Sequence, residues 1–157
     1  MLQCYPHMGN CLLAVVRGFL EEEKLSGTEI CSYSSADLER DSQATHHFST
    51  FLFEVAAQYP SMAQSILPLL RPRLDEDPYQ MRNCALSVIG EVLRGFARRE
   101  QLDSKERMQR DKLLDLLQEH IHDVNSFVRA KALQIWHNIV TTGVGYYIFF
   151  YVEKLGF

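Results

Sequence analysis

The chain matches itself at an offset of 47 residues, and no other feature restricts its fold as strongly. That shift places Leu70 on Leu117, Leu74 on Ile121 and Glu76 on Asp123. Without a gap it then sets Met81 on Val128, Arg82 on Arg129, Ala85 on Ala132, Leu86 on Leu133, Val88 on Ile135 and Val92 on Ile139. Apolar residues fall on apolar ones, acid on acid and arginine on arginine. The matched apolar positions recur at three- and four-residue steps, the period of a helix with one face toward a core. A unit this small cannot bury its stripe alone and must stack on a neighbour. The chain is therefore expected to be a scaffold first.

A fixed period of roughly 40 to 47 residues built from helix pairs is the mark of a HEAT or armadillo array. The fold class expected is all-α: an α-solenoid of HEAT/armadillo-like helical hairpins, ending in an atypical aromatic tail. With 157 residues there is room for one domain or for three to four such hairpins. The division expected is an N-terminal helix and Ser-rich loop over 1–45, helical repeats over 46–141 and the tail over 142–157.

In chain order, Leu12, Val15, Val16, Phe19 and Leu20 form a modest helical stripe. Ser26 to Gln43, rich in Ser, Thr and Asp, reads as a loop. Helical period resumes through Phe48, Phe51, Leu52, Val55 and Tyr59, and Pro60 stops it because the residue before proline is pushed out of the α region. Ser61 to Gln64 has the spacing of a capping box and opens a helix burying Met62, Ile66, Leu67, Leu69, Leu70 and Leu74. Pro68 should kink that helix. Asp77-Pro78 then caps a helix whose stripe is Met81, Ala85, Val88, Ile89, Val92 and Phe96. Asp103 to Glu106 supplies the next cap, before a helix burying Leu113, Leu114, Leu116, Leu117 and Ile121. Asn125 caps the last helix, with Val128, Ala132, Ile135, Trp136, Ile139 and Val140 inward. Residues 10–20 and 46–59 make a third, looser pair.

After Val140 the character changes. Thr141 to Gly145 breaks the helix, and Tyr146 to Val152 is aromatic and β-branched. A spanning helix needs about 20 mostly apolar residues. Gln134, His137 and Asn138 belong to the amphipathic helix before the glycines, so no membrane partner is expected. The tail reads as the place where a longer array has been cut and replaced.

The residue types for catalysis are present but not in a working pattern. There is no Gly-rich phosphate loop, no G-x-S-x-G and no H-E-x-x-H. His46 and His47 are adjacent, and His120 and His122 lie two apart, so neither pair shares a helical face for a metal; all four read as surface or helix-end histidines. Cys4, Cys11, Cys31 and Cys84 have no zinc-ligand spacing and suit free thiols in an intracellular protein. Met1 to Pro6 lacks the basic start of a signal peptide. The expectation is a non-enzyme with no catalytic, metal or cofactor-binding residues, no cofactor and no small-molecule substrate.

Two polar features stand out. Glu76 with Arg82, and Asp123 with Arg129, put an acid in the inter-helix turn six residues before an arginine on the second helix. Each acid can pair with that arginine or with its neighbour in the next repeat, fixing register. The densest basic stretch holds Arg94, Arg98, Arg99, Lys105, Arg107, Arg110 and Lys112. These are the candidate contacts to DNA or a protein partner. Glu100, Asp103, Glu106 and Asp111 are interleaved, as on a solvated helix surface. The net charge of -4 exerts no global pull on nucleic acid.

The run Leu113-Leu114-Asp115-Leu116-Leu117-Gln118-Glu119-His120-Ile121-His122-Asp123-Val124-Asn125-Ser126-Phe127-Val128-Arg129 resembles the HEAT-repeat D-type subunits of condensin I, the condensin complex subunit 1 family. Asp75 to Asn83 is similar to the same family, and the likeness covers about residues 46 to 140. The resemblance implies a non-catalytic regulatory subunit acting in mitotic chromosome condensation. It implies contacts with the kleisin, with the coiled-coil ATPase subunits and with double-stranded DNA or chromatin. It further implies a nuclear and chromosomal location, cytoplasmic in part of the cell cycle. A HEAT-repeat adaptor of another complex, a nuclear-transport or phosphatase scaffold binding peptide segments, is the alternative.

Overall fold

A computed structural model describes residues 6–28, 35–75 and 79–142. Those residues form six helices: α1 (Pro6–Thr28), α2 (Ser35–Gln58), α3 (Pro60–Leu70), α4 (Tyr79–Ala97), α5 (Ser104–Glu119) and α6 (Ser126–Thr142). No strand occurs among the described residues. The Glu76 and Asp77-Pro78 expectations, and the tail beyond Thr142, lie outside them.

α2, α4 and α6 stand in one row with α4 in the middle, and α1, α3 and α5 back that row. α4 is consequently enclosed nearly all round: Met81, Cys84, Ala85, Leu86, Val88, Ile89, Val92, Leu93 and Phe96 are all buried. That is the burial expected of a helix with apolar residues on more than one face. The two repeats agree closely in register. α4 opens at Tyr79 and α6 at Ser126, an offset of 47. Ile66 and Leu113, Leu67 and Leu114, Leu70 and Leu117, Met81 and Val128, Ala85 and Ala132, and Val92 and Ile139 are buried in both copies. The fold is an α-solenoid of stacked hairpins.

The first hairpin is tied in by Phe19 of α1, stacked on Phe48 of α2 with ring centroids 3.8 Å apart. Leu52 and Ala56 carry the same face into the core. Here the structure departs from the sequence reading. Backbone over Ser26–Thr28 and Ser35–Gln43 is helical, where a loop was expected. The reason is visible in retrospect: Ser34-Ser35-Ala36-Asp37 has the S-x-x-D spacing of a helix start, and the following residues include the good helix formers Leu38, Glu39 and Arg40. A helix extended beyond its apolar stripe gives no periodic signal. Val15, Phe51 and Tyr59 were expected inward and are exposed.

The cap of α3 also differs. Tyr59 is the N-cap, in non-helical backbone and with no side-chain hydrogen bond, and Pro60 occupies the first helical position. A proline there loses nothing, since that N–H has no partner in a helix, and Ser61 is thereby already inside. α3 runs on through Pro68 to Leu70 and tightens into a 3-10 turn over Arg71–Leu74. α5 starts as expected: the Asp103 carboxylate accepts from the Glu106 N–H at 2.8 Å, and Glu106 accepts from the Asp103 N–H at 3.0 Å. Asn125 caps α6 by accepting from the Phe127 N–H at 2.9 Å. Val140, expected in the stripe, is exposed, and Thr141 and Thr142 remain helical. Their hydroxyls bond back to the His137 and Asn138 carbonyls, within a helix that continues where a break was expected.

Candidate interaction surfaces of the helical stack

Polar groups inside the stack join one hairpin to the next. Asp123, in the turn before α6, faces Arg82 of α4: Oδ2 lies 3.2 Å from Nε and Oδ1 accepts from Nη2 at 3.4 Å. Both side chains are more than nine-tenths buried. Oδ1 also accepts from the Asn125 N–H at 2.7 Å, which shapes the turn that opens α6. The acid thus reaches the arginine of the preceding repeat. Arg129, six residues on, instead donates to the Asp123 and Val124 carbonyls at 2.9 and 3.1 Å.

A second device was not read from the sequence. Arg73 and His120 are 47 apart and both buried. Arg73 Nη2 donates to the Leu20 carbonyl at 2.7 Å. His120 Nε2 lies 3.2 Å from the Leu74 carbonyl, with Nδ1 2.8 Å from the Leu116 carbonyl. Each side chain reaches back to backbone of the hairpin before it. His120 is therefore a helix-end histidine, as one of the two expectations had it, but an interior one and not on the surface. The pairing of Arg73 with His120 under the 47-residue shift was the available signal, masked because the two side chains differ in type.

The basic stretch divides into bonded and unbonded cations. Arg94 is bonded to Glu91 within α4. Arg99 grips the Glu106 carboxylate with both terminal nitrogens. That contact, followed by the Asp103 N–H, holds the Glu106 carboxyl below its ordinary range, and the same carboxylate raises Arg99. Arg110 is half-buried and donates to Asp111 at 2.7 and 2.8 Å. Arg98, Lys105, Arg107 and Lys112 are exposed and make no ion pair among the described residues. Lys105 and Lys112, seven apart, project from the same side of α5. Arg107 projects from another side, so the seven cations do not form one continuous patch.

The outer side of α6 is the other open surface. Leu86 and Leu93 of α4 are 0% and 2% exposed, while their register mates on α6, Leu133 and Val140, are 57% and 43% exposed. Among the described residues no group of three or more His, Cys, Asp or Glu side chains could hold a metal ion. No helix of the described residues is long and apolar enough to cross a membrane.

No family model matches the chain. No solved structure matches it at a significant level. Individual relatives are clear. The chain is 36% identical over 146 residues to condensin complex subunit 1 of Xenopus laevis, covering 89% of this chain and 11% of the frog protein. It is 35% identical over 146 residues to condensin complex subunit 1 of Homo sapiens, covering 89% of this chain and 10% of the human protein. Condensin-1 complex subunit CAP-D2 of Arabidopsis thaliana is 29% identical over 101 residues, 62% of this chain and 7% of the plant protein. The similarity thus extends past residues 46–140, where the sequence motifs lie, and the chain spans about a tenth of the length of the animal relatives. Stacked hairpins in a 47-residue register and this identity over most of the chain lead to one assignment: the chain belongs to the condensin complex subunit 1 family.

Proposed function

We propose that the chain serves as a non-catalytic scaffold segment within the condensin complex, acting in mitotic chromosome condensation in the nucleus and on chromosomes. Its partners on this reading are the kleisin and, through it, the coiled-coil ATPase subunits, together with double-stranded DNA or chromatin. The observation that carries the reading is the 35–36% identity to condensin complex subunit 1 over 89% of the chain. The interlocked hairpins support it physically: buried bridges such as Arg82–Asp123 stiffen the stack, and a stiff stack presents side chains at fixed spacing.

For the nucleic-acid contact, Arg98, Lys105, Arg107 and Lys112 are the better candidates. Arg94, Arg99 and Arg110 already hold carboxylates and would have to exchange them for phosphates. Four phosphate contacts give a shallow salt dependence, a slope of about -3.6 in log K against log salt. The test is a kleisin pull-down and a duplex-DNA shift assay at stated salt, with the chain and with Lys105→Glu/Lys112→Glu. The expected result is kleisin capture by both proteins and weaker DNA binding by the variant. Absence of kleisin capture would refute the scaffold reading, and unchanged DNA binding would remove these lysines from it.

A further inference from the structure

α4 and α6 run side by side in the same direction. Tyr79 stacks on Phe127 near their starts, and Gly90 meets Ile135 near their middles. A Cβ on Gly90 would lie 2.9 Å from Ile135 Cγ2, so the glycine is what lets the two helices approach so closely. Above that contact is an open groove of about 170 Å³, reaching to Phe53 of α2.

The two walls of the groove differ electrically. On α4, Glu91 and Arg94 are bonded to each other, and the Ser87 hydroxyl donates to the Asn83 carbonyl at 2.8 Å. That wall is neutral and occupied. On α6, Lys131, Gln134 and Asn138 line the groove in one row, and their side chains make no hydrogen bond or ion pair among the described residues. The groove therefore carries one uncompensated positive charge and two side-chain amides with free donors and acceptors.

The spacing of those amides matches one kind of occupant. Gln134 and Asn138 are separated by one helical turn, a rise of about 6 Å. Alternate residues of an extended chain repeat every 6.4–6.8 Å or so. Two amides at that interval can each bond the peptide groups of a strand running along the groove. We propose that the α4–α6 groove binds an extended polypeptide segment, with its backbone held by Gln134 and Asn138, an acidic side chain on Lys131 and an apolar side chain against Phe53.

This assignment rests on the reading of the chain as a scaffold for a polypeptide partner. It is tested by fluorescence anisotropy with the full chain and labelled octapeptides of alternating leucine and aspartate, leucine and asparagine, or leucine and lysine. The aspartate peptide binds, the asparagine peptide is about tenfold weaker, a difference of 1.4 kcal/mol, and the lysine peptide is weaker again. Lys131→Glu abolishes the preference for aspartate over asparagine. Gln134→Ala/Asn138→Ala weakens both of those peptides by the same factor, because the amides read backbone. Arg17→Glu, at an exposed position on α1, changes nothing. An unchanged thermal unfolding midpoint in each variant shows that the fold is kept. Failure of the aspartate peptide to bind, or a preference that survives Lys131→Glu, overturns the assignment. Kleisin capture that is indifferent to Lys131→Glu would remove the groove and leave the scaffold reading standing.

Discussion

Replacing Asp123 by alanine is the most direct perturbation of the bridge between the two repeats. The carboxylate lies within 3.4 Å of two Arg82 nitrogens and 2.7 Å from the Asn125 N–H. Its removal leaves a guanidinium buried without its counter-charge, which costs about 3–5 kcal/mol when one partner of a buried pair is lost. Arg82 keeps other contacts, so the lower end of that range applies. The loss of the Asn125 contact adds to this but falls on a half-buried turn where water can substitute. A total of about 3 kcal/mol is a large part of the 5–15 kcal/mol typical of a folded domain. At a urea m-value of about 2 kcal/mol/M, the unfolding midpoint falls by about 1.5 M. Arg82→Met alone also destabilises, by stranding the acid. The double variant Arg82→Met/Asp123→Ala should lose clearly less than the sum of the two single losses, because the stranded charge is gone. Urea denaturation followed by circular dichroism measures all four proteins. Strict additivity, or a midpoint shift below about 0.5 M for Asp123→Ala, would refute the view that this pair couples the hairpins.

Three further outcomes follow from named contacts. Gly90→Ala gains about 1 kcal/mol of helix propensity but meets Ile135 at 2.9 Å; overpacking of about 1–3 kcal/mol should win, and the same change made in an Ile135→Ala background should turn stabilising. Glu106, whose carboxyl is held low by Arg99 and the Asp103 N–H, contributes stability above the ordinary carboxylate range and loses it as pH falls through its own lowered pKa. The melting-temperature gap between the chain and Glu106→Gln should therefore close on acidification, and a gap that widens would contradict the sign. Leu86→Glu should unfold the chain, whereas its register mate Leu133→Glu should leave the melting temperature within about 2–4 °C and lower dye binding to exposed apolar surface; equal loss from both would mean that the outer side of α6 is covered.

How much could be read beforehand depended on what kind of signal each residue carries. A core-facing helix writes its period into the sequence, so α4 and the inner face of α6 were legible residue by residue, down to Met81, Ala85, Val128 and Ala132. The first half of α2 was not, because a helix that extends past its apolar stripe shows mostly polar residues and no apolar period. Its marks were the Ser34-to-Asp37 spacing and the helix formers that follow it. Periodicity also marks a face as apolar without saying whether anything lies against it. Leu133 and Leu86 are the same residue in the same register, one exposed and one enclosed.

Polar pairs raise the same issue in sharper form. The sequence places Asp123 six residues before Arg129 and 41 after Arg82, and the expected partner was Arg129 or an arginine of the next repeat, whereas the acid reaches back to Arg82. The choice is made by stacking. Arg82 projects toward the turn of the following hairpin, where burial removes water and favours a carboxylate as partner for the guanidinium. Arg129 projects from the last described hairpin and, among the described residues, bonds the Asp123 and Val124 carbonyls. The candidate groove is of this relational kind as well: Lys131, Gln134 and Asn138 look like ordinary surface residues of one helix. They acquire a role only because Gly90 brings α4 alongside and Glu91 has already neutralised Arg94 on the opposite wall. In a stack of repeats, then, one helix's sequence supplies the side chains, and the distance to the next helix decides what they can bind.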